Sequence, residues 1–314
     1  MTSDRHAFPN PMKIAYLIPT YTDPQHLARL IRALDKNAEF FVHIDAKTDE
    51  APFRRAAEAE NVHFIKRRFR VLWGDISQVY YQRELLTACM DFPVRFDRIC
   101  LLSGQDYPLW RNGRLHRFFQ ENADREFVAG IRLEGQRESV VHNYRICRPP
   151  TWIPLLSVRN NIRLRVLLRH LTTLCGIRKS LRLRVGGREL SVYKGTDWWS
   201  CTPALAGWML DELRRHPEIL RFFRTMFVPS ELVWPTLAFH SPFAGKALLQ
   251  EGDYTSLADL TPLHFIDYHP LVKVLDEEDL DRLRESGKPF ARKLVTGRSD
   301  SLMDRLDRGE GEPE

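Results

Sequence analysis

The chain has 314 residues, of which 43% are apolar and 28% charged, with a net charge of +6. Those proportions exclude wholesale disorder and collagen-like or low-complexity character. No run of about 18 uncharged apolar residues occurs, so no membrane-spanning helix is expected. Residues 1–12 lack the basic-then-apolar order of a secretory signal, which points to a cytoplasmic location.

Lys13–Ile18 reads as a buried first strand, followed by the loop Pro19–Pro24. Leu27, Leu30, Ile31 and Leu34 recur at helical spacing. Phe40–Ile44 is a second strand ending at Asp45. A short helix over Ala51–Glu60 and a third strand over Val62–Ile65 follow. Ser77–Met90 reads as a long helix with Ser77 as its cap. Arg98–Leu102 is a fourth strand, running into the turn-rich Ser103–Pro108, and Phe127–Ala129 is another. This alternation predicts an α/β fold, a mostly parallel sheet with helices on both faces. Later elements are helices over Pro203–Arg215, about Ser230–Phe239 and Glu277–Glu285, with a strand over Leu263–Asp267. Without a repeat or a low-complexity linker, residues 13–295 read as one catalytic domain. Residues 1–12 precede it, and 296–314 form a C-terminal helix and frayed tail.

The positive charge is local. Val158–Arg188 carries nine basic residues and no acid, which leaves about −3 for the rest of the chain. Ile162, Val166, Leu167, Leu171 and Leu174 recur there at helical spacing. Two readings stand: an amphipathic helix packed on the body with a solvated arginine face, or a peripheral contact with an anionic membrane surface. Nucleic-acid binding is not expected, since no basic stripe with interleaved aromatics and no helix-turn-helix or zinc pattern is present. The five cysteines are scattered and form no CxxC pair, so buried thiols are expected rather than a disulfide framework.

Ligands of open α/β sheets bind at the carboxyl ends of strands. The loops there contain Asp45, Trp73 and Asp106. An aspartate in such a place can hold a ribose hydroxyl or a base N–H, and a tryptophan can stack on a base. Taken alone, Asp45 could equally serve a loop hydrogen bond and Trp73 the core. Neither GxGxxG nor GxxxxGK[ST] occurs, which disfavours dinucleotide and P-loop sites.

Six segments in order carry a family resemblance: Phe41–Lys47 (FVHIDAK), Leu72–Ser77 (LWGDIS), Leu101–Leu109 (LLSGQDYPL), Gly195–Ser200 (GTDWWS), Val228–Thr236 (VPSELVWPT) and Phe290–Lys293 (FARK). Together the chain resembles the core-2/I-branching β-1,6-N-acetylglucosaminyltransferases, a family that includes peptide O-xylosyltransferases. The resemblance implies a nucleotide-diphosphosugar transferase-like (GT-A-type) fold. It also implies a metal-independent inverting transfer of a sugar, foremost N-acetylglucosamine, from a UDP-sugar to a glycan hydroxyl. Glu231 matches the catalytic base, although a first-turn glutamate also serves commonly as a cap. Arg292 and Lys293 match the segment that contacts the diphosphate. Trp198 and Trp199 match the floor under donor and acceptor, and Asp267 and Tyr268 are placed near the acceptor by position. Ser230 stands where the family has aspartate, and the animal members' anchor and disulfide cysteines are missing, as in a cytosolic, bacterial-type member. The rivals are the same fold with UDP-xylose or another UDP-sugar, and a catalytically silent carbohydrate-binding protein.

No cofactor is expected. Many sugar-nucleotide transferases hold a metal with Asp-x-Asp at a strand end to neutralise the leaving diphosphate. The comparable strand end here, Ser103–Asp106, has one carboxylate. The one such triplet, Asp279–Asp281, falls in a charged C-terminal helix and reads as a solvated face.

Overall fold

A computed structural model describes residues 12–133, 153, 155–177, 179–251, 256–268 and 271–313. Its centre is a five-stranded sheet. Strands β1 (Ile14–Thr20), β2 (Glu39–Ile44), β3 (Val62–Phe64) and β4 (Arg98–Leu101) lie in the order β4-β1-β2-β3, all parallel. Ser200–Cys201 adds an antiparallel edge beside β4. Side chains alternate across β1: Ile14, Tyr16 and Ile18 enter one core, Ala15 and Leu17 the other. Both faces are covered, which is why the central strands read as unbroken apolar runs.

Helix α1 (Pro24–Ala33), helix α2 (Ala51–Ala56) and the helices Asn112–Glu121 and Asp300–Asp307 cover one face. Helix α3 (Ser77–Met90), Pro203–Arg215 and Ser230–His240 cover the other. The expected α/β class holds.

Several details differ from the sequence reading. Ser77 is not the cap of α3. Its hydroxyl accepts the Leu72 N–H at 3.0 Å, while Asp75 accepts the Ser77 N–H at 3.0 Å. The strand near Phe127 runs from Ala129 to Arg132, and Phe127 only bridges Ser200. Residues 309–313, expected to fray, are tied down. Glu312 accepts the Arg111 N–H at 2.8 Å, and Pro313 O accepts from Arg114 at 2.9 Å. Asp279 is no solvated residue; it is buried and bonded to Lys273 at 2.7 Å, because it closes a capping box with Asp276. Cys89, Cys100 and Cys201 are buried thiols and Cys175 is exposed, while Cys147 lies outside the described residues.

The largest difference concerns the basic helix, Val158–Leu174. Its exposed side carries Ile162, Val166, Leu167, Leu171 and Leu174. Its inner side carries the fully buried Asn161, the half-buried Leu164 and Leu168, and Arg165, which pairs with Asp75 at 3.0 Å. Five of its apolar residues thus face away from the body, where an apolar face seated on the body was one of the two readings. Among the described residues, no helix is long and apolar enough to cross a membrane.

Candidate active site

The site is assembled at the carboxyl edge of the central sheet by a second, smaller sheet. There Asp106–Pro108 pairs antiparallel with Phe290–Arg292, in a register that sets Arg292 opposite Asp106. His264–Ile266 flanks the same strand in parallel. Gly104 permits this closure: a β-carbon there would stand 2.3 Å from the Thr20 hydroxyl at the end of β1.

The register has a chemical consequence. Asp106 Oδ1 accepts from Arg292 Nη1 at 2.8 Å, Oδ2 accepts the Ser103 N–H at 2.7 Å, and His264 Nε2 lies 3.2 Å from Oδ2. Burial by itself would raise the Asp106 carboxyl; Arg292 and His264 outweigh it and hold the group below the ordinary carboxylate value. Burial lowers His264, leaving the imidazole neutral. The Arg292 guanidinium also lies 5.2 Å from the centre of the Trp198 ring. Asp106 and Trp198 thus fix the head of Arg292 from two sides. Asp106 is fully buried with both oxygens engaged, so it positions Arg292 rather than presenting a carboxylate to a ligand.

Lys293 follows at the same edge. It is half-buried; its carbonyl accepts the Leu275 N–H at 2.9 Å, while its ammonium has no hydrogen-bond or ion-pair partner among the described residues. Burial, and then Arg292, lowers its pKa. Two cations therefore stand next to each other in the chain, Arg292 anchored by Asp106 and Lys293 unanchored.

Glu231 lies in the first turn of the Ser230–His240 helix. Its carboxylate accepts from Lys194 Nζ at 2.8 Å, and its carbonyl accepts the Gly195 N–H at 2.8 Å. A β-carbon at Gly195 would meet Ala129 O at 2.2 Å and Pro235 Cγ at 2.7 Å, so only glycine lets this segment lie against the helix. Burial raises the Glu231 carboxyl, Asp197 raises it further, and Lys194 opposes both; the net direction is upward. Just before this turn, Val228 has φ of 43°, a conformation rarely adopted by a β-branched residue.

Asp197 links the two halves. It feels the charge of Lys194 and of Arg292. Gln82 Nε2 donates to it at 2.9 Å, and the Gln82 carbonyl accepts from the Trp234 indole N–H. Burial raises its carboxyl above the ordinary value. Lys194, Asp197, Gln82 and His264 were not singled out from the sequence. Asp197 could have been found, since it sits in the GTDWWS segment; Gln82 could not, because its partner is 115 residues away.

The remaining candidates divide. Asp45, at the end of β2, is nearly buried; its Oδ1 accepts the Lys47 N–H at 2.9 Å and Oδ2 stands 3.3 Å from Lys47 Nζ. Trp73 is 72% exposed and packs edge-on against Phe227. Trp199 belongs to the core, against Trp234, and offers no surface to a sugar. It is buried because it flanks Ser200, the edge strand that closes the sheet. The Asp267 carboxylate is taken by Arg282 at 2.9 Å, and Tyr268 is half-buried beside it. His43 accepts the Phe69 N–H at 3.0 Å; burial, and then Arg68, brings its pKa down to about 4, so it stays neutral and holds the loop before Trp73. Among the described residues, no three His, Cys, Asp or Glu side chains converge as a metal site would need.

A family model described as Core-2/I-Branching enzyme matches residues 14–258. The Caenorhabditis elegans xylosyltransferase sqv-6 is 21% identical over 320 residues, covering 94% of this chain and 36% of the relative. The Drosophila melanogaster xylosyltransferase oxt is 22% identical over 227 residues, covering 67% of this chain and 22% of the relative. The chain thus spans about a third and about a fifth of the length of these curated relatives. Among solved structures, the bifunctional glycosyltransferase WbbM aligns with a TM-score of 0.39 at 10% identity, covering 97% of this chain and 50% of that one. Mouse xyloside xylosyltransferase 1 aligns with a TM-score of 0.30 at 12% identity, covering 88% and 97%.

Proposed function

The chain belongs to the core-2/I-branching enzyme family, and from that membership we propose that it is an inverting glycosyltransferase. It moves a sugar, N-acetylglucosamine, from a UDP-sugar to a carbohydrate hydroxyl in β linkage, without a metal. The observation that carries this reading is Asp197, whose carboxyl feels both Lys194, the partner of Glu231, and Arg292, and so links the candidate base to the cation-bearing sheet edge.

An inverting transfer is one in-line displacement. The acceptor hydroxyl attacks the anomeric carbon while UDP departs from the opposite face, and the hydroxyl proton passes to a base. Glu231 takes that proton. A carboxyl raised above its ordinary value is the better acceptor, and Lys194 keeps it ionised. The departing diphosphate gathers negative charge, and fixed cations in a partly dry cleft stabilise that charge as a metal would. Arg292, held by Asp106 and Trp198, needs no reorganisation at that moment. Lys293 remains available to the phosphates. Trp73 offers an aromatic face at the outer loop.

Two further readings rest on specific observations. Asp197 has a raised carboxyl beside both Glu231 and Arg292, and is the alternative base; Asp267 and Asp106 are not, since each is committed to an arginine. The relatives named xylosyltransferases favour UDP-xylose as the alternative donor.

A single assay of UDP release separates these. Glu231→Gln is expected to fold and bind UDP normally and to lose about 100-fold or more in turnover. Near-wild-type turnover in that variant, with a comparable loss in Asp197→Asn, moves the base to Asp197. Turnover in excess EDTA is expected to persist; a loss restored by Mn²⁺ overturns the metal-free step. A panel of UDP-sugars assigns the donor, and absence of turnover with every donor and acceptor favours a silent carbohydrate-binding protein.

A further inference from the structure

The Val158–Leu174 helix turns Ile162, Val166, Leu167, Leu171 and Leu174 outward. Among its outward residues, Leu167 is 55% exposed, Leu171 47% and Leu174 83%. Its inner side sets two bonded polar residues beside the half-buried Leu164 and Leu168. Asn161 Nδ2 donates to Leu156 O at 2.9 Å and its Oδ1 accepts the Ile153 N–H at 2.8 Å, while Arg165 pairs with Asp75. The orientation is therefore set by specific bonds, and the apolar groups are left in water by construction. Exposed clusters of this kind mark contact surfaces.

From this packing we propose that the helix seats on an anionic lipid bilayer, lying in the interface plane. Charge and shape select that occupant. Arg159 and Arg163 lie on the same exposed side as the leucines, and no acid occurs anywhere from Val158 to Arg188. The apolar and basic residues are interleaved over half the helix circumference, with Ile162 and Val166 to one side of Arg163 and Leu167 and Leu171 to the other. An interface of lipid headgroups over acyl chains takes both kinds of side chain at once, since arginine extends its head to the phosphates while its stem stays among apolar groups. A second copy of this chain would bring the same positive face and repel. Arg165 ties the seated helix to Asp75, in the loop that carries Trp73, so docking also bears on the rim of the candidate site.

The test is vesicle flotation of the full chain, with no sugar nucleotide present. Phosphatidylcholine vesicles containing phosphatidylglycerol are expected to carry the protein upward at low salt, and pure phosphatidylcholine vesicles are not. Leu167→Asn with Leu171→Asn is expected to reduce the bound fraction at least tenfold with the melting temperature unchanged. Arg159→Gln with Arg163→Gln is expected to reduce it as much and to weaken its salt dependence. The proposal is overturned if the wild-type chain stays unbound on anionic vesicles, or if the leucine pair leaves binding intact. It is also overturned if sedimentation shows a dimer that the leucine pair dissolves, which would assign the face to a second copy. Retention on anionic protein but not on lipid would overturn it in favour of an acidic partner.

Discussion

The sheet-edge cluster and the Val158–Leu174 helix treat polarity in opposite ways. In the first, charged groups are buried with partners: Asp106 with Arg292, Glu231 with Lys194. In the second, apolar groups are exposed without them. Burying a charge is costly unless a partner holds it, so the cluster exists only as a set whose members fix one another. Exposing leucines costs folding energy without strain, so the helix keeps its shape whether or not anything covers it. The cluster is therefore sensitive to any change that leaves a buried charge without its partner, and the helix is tolerant of single changes.

The largest test of that contrast is Asp106→Ala. It leaves the largely buried Arg292 guanidinium with the Ser103 hydroxyl and the Trp198 ring but no anion, and breaking such a pair costs about 3–5 kcal/mol. Chemical denaturation measures it, and a loss below about 1 kcal/mol would show that water reaches Arg292 freely. The same pair sets a pH dependence. The folded-state carboxyl of Asp106 is lowered, so its contribution to stability is present above the unfolded-state value and fades as pH falls through the folded one.

Lys293→Ala should spare stability, since nothing in the described structure leans on the ammonium. It should weaken UDP binding about ten- to a hundredfold, the worth of one charge-assisted contact. Calorimetry with UDP checks it, and unchanged affinity would detach Lys293 from the diphosphate.

Lys194→Met sharpens the role of the second pair. Lys194 pulls the Glu231 carboxyl down against burial and Asp197. Removing it should shift the acid limb of the kcat/KM profile to higher pH, because the base then ionises later. A limb that does not move would separate Lys194 from the base.

The smallest effect is expected on the helix. Leu167→Asn with Leu171→Asn should change stability by no more than about 0.5 kcal/mol, as for surface positions in general. A loss of several kcal/mol would mean that these leucines are covered in the free protein.

Much was legible before any coordinates. The unbroken apolar runs of β1, β2 and β4 and the helical spacing of Leu27 to Leu34 are local patterns, and periodicity reports them directly. The ordered segments that resemble the family are likewise local. They name Glu231, Arg292 and Lys293 without saying what surrounds them. The error at Ser77 is also local: its hydroxyl is spent on Leu72, Asp75 accepts its N–H, and the cap position falls on Ile76.

What the tertiary structure alone decided is which groups share a dielectric. Asp106 and Arg292 are 186 residues apart, Gln82 and Asp197 115, and each pair meets through sheet register and helix packing that no window of sequence contains. Trp198 and Trp199 are adjacent in the chain and opposite in fate, because alternation in an extended segment sends one ring to Arg292 and the other to the core. The basic helix is the sharpest case. Sequence determined that it is a helix carrying both leucines and arginines. Only the fold, through Asn161 capturing the turn before it and Asp75 capturing Arg165, determined that the leucines face outward: composition fixes how much apolar surface a helix has, and long-range partners fix which way it points.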